Sequence, residues 1–212
     1  MSDWPILQEG QAWDTQGQNL TNSGGTVVTP SATANTKGAW SAAIYTATRD
    51  LSAIQVDLTL MVTSGTWLID IGVIYPGGAT QEVLVPNLLL STARSAQNAH
   101  GYFLPVRIPS GSVIYGRCQC SVASSGVNLI IRGLASGFGS QEGYSTCRAF
   151  GVNTGVSGGT QVAPSGTANT KTAYVALATA TVEPVSALIL AVGTRGSTNS
   201  SGNRMLLDLA YT

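Results

Sequence analysis

The sequence predicts an all-β protein built from tandem antiparallel β-sandwiches of jelly-roll type, the second of them incomplete. Three observations carry that expectation. Lys and Glu, the staple residues of surface helices, are nearly absent, while Gly, Ser, Thr, Ala and Val dominate. Apolar and polar residues alternate with a period of two: Ile54, Val56, Leu58, Leu60 and Val62 against Ala53, Gln55, Asp57, Thr59 and Met61. A polar stretch at 29–40, TPSATANTKGAW, returns at 163–174 as APSGTANTKTAY.

Residues 1–23 place Trp4, Ile6, Leu7 and Trp13 in an otherwise polar arm without clear periodicity. Large apolar side chains in such an arm suit docking on a partner surface, with folding back on its own domain as the alternative. A first sandwich is expected over 24–138. Its strands are GTVVT, AWSAAIYTAT, the run from 52 to 62, TWLIDIGVIY, QEVLVP, YFLPVRI, SVIYGRCQCSV and VNLIIRGL. Turn signals separate them, among them TSG at 63–65, YPGGA at 75–79, IPSG at 108–111 and ASSG at 123–126. About eight antiparallel strands in about 115 residues describe two packed sheets, with a jelly roll as the expected wiring.

Residues 139–157 form a Gly- and Ser-rich linker. Tyr144 and Phe150 make it too aromatic for a free tether, so packing along a domain or a neighbouring chain is expected. Residues 158–212 then read as a partial copy of the first domain. GGTVV from Gly24 is answered by GGTQV from Gly158, Trp40 by Tyr174, TAT at 46–48 by TAT at 179–181, and SA at 52–53 by SA at 186–187. SGTWLIDI is echoed by SGNRMLLDL, so Asp208 answers Asp70. The period is that of a whole domain and not of a short solenoid repeat. Nothing in the second copy matches VLVPNLL, LPVRIPSGS or NLIIRG, and a half sandwich exposes a bare sheet face and open edges. Either the 212 residues belong to a longer chain or neighbouring subunits complete the second domain. Both point to an assembly component or a modular chain.

Composition excludes several function classes. With 43% hydrophobic residues the chain can bury a core, and with 9% charged residues it carries little more than a third of the usual charge. Net charge is zero and the ten Lys and Arg residues are scattered singly, so a nucleic-acid footprint is not expected. No run of about 18 apolar residues suggests a membrane span, and residues 1–10 lack the form of a secretory signal, so a soluble chain made in the cytosol is expected. Cys118 and Cys120, at i and i+2, share a strand face but are badly placed to bridge each other. Buried free thiols are expected, with a link from Cys147 to another strand or subunit as the alternative. A zinc site lacks a fourth ligand.

Catalytic readings fare poorly. His100, the single histidine, has no partner fixed by the sequence and reads as a surface-loop residue. Asp70 stands in a strongly apolar strand, opposite the face of Trp67, Ile69, Ile71 and Val73. A catalytic or metal-binding carboxylate is one reading. The structural one is an ion pair or backbone hydrogen bond, with Arg107, Arg117 or Arg132 as candidate partners. One carboxylate without a second at fixed spacing does not specify glycoside hydrolysis. GGTVVTPS lacks the rest of a phosphate loop. Trp67 and Tyr75 could stack on sugar if exposed, but Trp67 lies on the apolar face and reads as core. No cofactor, metal or catalytic residue is expected.

The segment TANTK carries the remaining site candidates: Thr33, Asn35 and Lys37, with Asn169 and Lys171 in the second copy. Structurally, Asn and Thr bond to nearby backbone and fix a loop leading into a strand, while Lys37 guards a sheet edge. Functionally, the same groups would contact a capsid or an adjacent subunit. The structural reading is preferred, and Asp70 and Asp208 are assigned structural roles.

The ordered set SATANTKGAW, WLIDIGV followed by a Gly-rich turn, VLVPNLLL, and YFLPVRIPSGSVIYGRCQCSV resembles small β-sandwich proteins encoded among the structural genes of tailed bacteriophages. The resemblance covers residues 24–138 and 158–212 and brings no catalytic residues. It implies a non-enzymatic virion component, assembled in the host cytoplasm: a head decoration or cement protein, a collar component, or a fibre module. Implied partners are capsid, neck or tail subunits and further copies of the chain, with a trimer favoured. A receptor-binding module recognising a host surface glycan is the alternative.

Overall fold

The computed structural model describes residues 13–16, 25–59, 65–92, 100–135, 147–163, 165–167, 170–178, 185, 187–192 and 207–210. The first domain contains β1 (Trp13–Gln16), β2 (Thr26–Val28), β3 (Tyr45–Thr46), β4 (Leu51–Thr59), β5 (Gly65–Ile74), β6 (Glu82–Thr92), β7 (His100–Leu104), β8 (Val113–Cys120) and β9 (Val127–Ala135). One sheet runs β2-β9-β4-β7 and the other β3-β8-β5-β6, all pairs antiparallel. Those two orders are jelly-roll wiring, so the expected all-β sandwich is met in the first domain.

The alternation read from sequence becomes the two inner faces. Ile54, Val56 and Leu58 of β4 and Leu129 and Ile131 of β9 pack against Trp67, Ile69, Ile71 and Val73 of β5 and Ile114 and Cys118 of β8. Trp67 is fully buried and donates its indole N–H to the Ser125 carbonyl at 2.8 Å, so the expectation of a core tryptophan holds.

Several elements differ from expectation. Trp13 belongs to a strand: β1 lies along the edge of β9 that β2 also borders, with Trp13 opposite Leu134. This part of the arm therefore folds back on its own domain, while Trp4, Ile6 and Leu7 lie outside the described residues. Of the strand expected at 39–48, only Tyr45 and Thr46 form a ladder. Residues 38, 41, 44 and 47 instead donate to the carbonyls of Cys118, Gly116, Ile114 and Ser112 at 2.8–2.9 Å. Every third residue meets every second residue of β8, so the segment coils along the sheet edge. GAWSAA contains no β-branched residue to hold it straight.

β6 runs on past Pro86, where the sequence suggested an end. Ile69 opposes Leu88 and Ile71 opposes Val85, leaving Pro86 and Asn87 as a bulge opposite Asp70. An edge strand tolerates proline there. β7 stops before Pro105, which has no N–H to donate, and beyond it Ile108 bridges to Leu51. His100, expected in a loop, opens β7 opposite Leu58.

The linker is structured where it is described. Its β10 (Val152–Asn153) pairs with β11 (Gly158–Gly159) around a 3₁₀ turn at Thr154–Val156. Beyond Gly159 no strand is present among the described residues.

Candidate functional site

The outer face of the β3-β8-β5-β6 sheet brings together residues from four segments. β5 presents Asp70 directly opposite Arg117 of β8. Arg117 Nε donates to Asp70 Oδ2 at 2.8 Å, and Lys37 Nζ donates to Oδ1 at 2.6 Å. The bulge in β6 turns the Asn87 N–H onto the same Oδ1 at 2.9 Å, with Asn87 in the left-handed region at φ 54°. Lys37 also reaches the Leu68 carbonyl at 3.0 Å. The Asp70 side chain is 4% exposed. Three donors to one nearly sealed carboxylate meet the condition under which a buried charge is tolerated.

Trp40 completes the cluster. Its ring lies 4.4 Å below the Arg117 guanidinium carbon. Beneath it is Gly72, where a β-carbon would stand 2.6 Å from the ring, so the close approach requires glycine. Burial pushes the Lys37 ammonium below its ordinary range, against the opposing pull of Asp70.

Asn35 holds the loop that delivers Lys37. Its N–H donates to the Cys120 carbonyl at 2.7 Å, with φ at 60°. Its carbonyl accepts from Gln119 Nε2 at 3.2 Å, and its Oδ1 accepts from Ser157 Oγ at 2.8 Å. Gln119 Nε2 also meets the Thr154 carbonyl at 2.7 Å and Ser157 Oγ at 3.0 Å. The linker is thereby fastened across the end of β8. Thr33 is exposed, and its N–H donates to Ser31 Oγ at 3.1 Å.

The same local chemistry returns in residues 158–212. The Thr167 N–H donates to Ser165 Oγ at 3.1 Å, repeating the Thr33 to Ser31 bond. Lys171 Nζ donates to Asp208 Oδ2, repeating the Lys37 to Asp70 pair. The setting differs, because the Lys171 and Asp208 side chains are 62% and 43% exposed. Asn169 lies outside the described residues.

Of the three arginines considered for Asp70, Arg117 is the partner, Arg132 pairs with Asp57 at 2.5 Å, and Arg107 is exposed. Lys37 was missed as a partner of Asp70. The signal was in the repeat, because the lysine and the aspartate recur together. Cys118, Cys120 and Cys147 are free thiols, and burial pushes Cys118 up to about 12. Among the described residues no group of three or more His, Cys, Asp or Glu could hold a metal ion. Both oxygens of Asp70 are engaged by donors, two on Oδ1 and one on Oδ2, an arrangement that ties three segments to one carboxylate.

No protein-family model matches the chain, and a search of curated proteins finds no match. The fold and site define a jelly-roll β-sandwich whose outer sheet face is locked by a Lys–Asp–Arg cluster.

Proposed function

We propose that this protein acts by binding and not by catalysis, as a structural component that decorates or reinforces a tailed-phage particle at the capsid or collar. One observation carries the binding half of the reading. The Lys37–Asp70 pair that the chain repeats is used up in internal contacts in the first domain, whereas Lys171 and Asp208 stand at the surface, and Leu188, Leu190, Leu207 and Leu209 are exposed as well. Apolar side chains in that number suit burial against neighbouring subunits. Many copies on a shell bind firmly even when each contact is weak, which accommodates the low charge. The virion half rests on the resemblance carried by residues 24–138.

The test is mass spectrometry of density-purified particles from the source. Peptides of this chain in stoichiometric ratio to shell subunits are expected. Their confinement to the unassembled soluble fraction contradicts the reading.

A second reading has one observation in its favour. Phe103 is 44% exposed on the outer face of the other sheet, opposite Gln55 and close to Asp57 and Arg132. An aromatic ring flanked by amide and carboxylate groups suits a sugar ring. Phe103→Ala abolishing adhesion of the protein to host cells favours a glycan-binding module.

A further inference from the structure

We propose that the outer face of the β3-β8-β5-β6 sheet docks an acidic segment of a partner protein, seating an Asp or Glu carboxylate on the terminal amino groups of Arg117 and an apolar side chain on Trp40 and Val83.

The chain seals one end of this face with its own segments and leaves the other end open. Leu68 and Gln119, at the sealed end, are 1% and 2% exposed, and Lys37, Asn35 and the linker bond across them. At the open end Gly72 stands between Tyr115 of β8 and Val83 of β6, with the Trp40 ring over it. Val83 is 45% exposed, and Trp40, Tyr115 and Ile74 are half-buried. Arg117 is two residues from Tyr115 on the same strand, so the two side chains share this face. A Trp, a Tyr and an Arg set together beside an exposed aliphatic residue are the residue types that carry most of the binding energy in protein interfaces.

Charge defines what the partner brings. The cluster holds two cations, Lys37 and Arg117, against the single carboxylate of Asp70. Lys37 donates to Asp70 and to the Leu68 carbonyl. Arg117 uses only Nε, and its two terminal amino groups have no partner among the described residues. The surplus is felt inside the cluster, because burial first and then the Arg117 charge hold the Lys37 ammonium below its ordinary range, against the pull of Asp70. The other carboxylates whose side chains are described are placed elsewhere. Asp50 accepts from the Ser110 N–H, Asp57 pairs with Arg132 on the other sheet, Asp208 pairs with Lys171, and Glu82 lies opposite Val73 near Tyr75.

One incoming carboxylate brings the cluster to neutrality. The guanidinium is already oriented for it, fixed at Nε by Asp70 and resting on the Trp40 ring, so little freedom is lost on docking. A planar group with one negative charge suits this fork better than a phosphate monoester, which carries more. An apolar floor beside the fork suits an aliphatic neighbour of the acid better than the hydroxyl-lined ring of an acidic sugar. The inference rests on the binding reading above but not on its virion half. A silent face together with peptides of this chain on purified particles leaves the particle reading standing, and binding at the face without particle association removes the particle reading alone.

The probe is the blocked dipeptide acetyl-Leu-Glu-amide, titrated at low salt into the full 212-residue protein and followed by NMR. Saturable shifts are expected at the Trp40 indole N–H and the Arg117 Nε–H. The uncharged analogue acetyl-Leu-Gln-amide is expected to bind at least about threefold more weakly. Val83→Glu, at an exposed position of the edge strand, sets a like charge beside the fork and is expected to weaken the acidic dipeptide by a similar factor, with the rest of the spectrum unchanged. No saturable shift at these two signals, equal affinity for both dipeptides, or an affinity indifferent to Val83→Glu overturns the proposal. Tighter binding of glucuronate or inorganic phosphate in the same assay also overturns it, by giving the face to an acidic sugar or a phosphate. Self-association of the protein alone that moves these signals overturns it by giving the face to a second copy.

Discussion

Lys37 and Asp70, 33 residues apart, are joined by a 2.6 Å hydrogen bond between a half-buried ammonium and a nearly sealed carboxylate. Removing the carboxylate strands two cations and the Asn87 N–H together. Asp70→Ala is expected to cost about 2–4 kcal/mol by urea denaturation, below the full loss for a sealed pair because Lys37 and Arg117 stay 21% and 32% exposed. Asp208→Ala, at an exposed pair, is expected to cost about 0–1 kcal/mol. Equal losses at the two positions contradict this account.

Gly72 makes room for Trp40, and Trp40 supports Arg117. Gly72→Ala places a methyl group 2.6 Å from the ring and is expected to cost about 1–3 kcal/mol. In a Trp40→Ala background the same change should be close to neutral, since the ring it strikes is gone. A thermal-denaturation double-mutant cycle reads that difference.

Much of this was legible in the sequence, and the limits have physical causes. Period-two alternation located β4, β5, β8 and β9 because each has one face in the core. It overstated the strand at 39–48, where Gly and Ala offer no stiffness, and it stopped β6 at Pro86 because the bulge that admits a proline arises from pairing and not from composition. The structural role of Asp70 was legible from its apolar surroundings. Lys37 was hidden because it stands in a polar segment that reads as a surface loop, and only the coiled path along β8 carries it back over β5.

Gln119 should act as a clasp for the linker. Gln119→Leu removes bonds to Asn35, Thr154 and Ser157 together. Hydrogen exchange at 152–159 is expected to quicken at least about tenfold, with global stability falling by only about 1–2 kcal/mol. Unchanged exchange in that segment contradicts the clasp.

Thiol chemistry and alkaline stability follow from burial. Cys118 and Cys120 should resist alkylation at pH 8 until the protein unfolds, because the thiol form is enforced and the sulfur is covered. Burial pushes the Cys118 thiol and the Tyr102 phenol up to about 12 from 9.0 and 10.0. The folded state therefore holds more protons than the unfolded one between about 9 and about 12, and stability falls as pH rises through that window. Lys37 acts in the opposite sense, but only up to its ordinary value of 10.5. Urea midpoints should decline most clearly between about pH 10.5 and 12, and a flat or rising profile there contradicts the assignment.

The central claim is that this jelly roll is a binding component of a tailed-phage particle, and immunogold electron microscopy tests it most directly. Antibody raised against the 212 residues, applied to intact particles from the source, should place gold over the head or collar. Gold confined to the tail tips would transfer the protein to the receptor-binding reading, and particles without gold would contradict the claim itself.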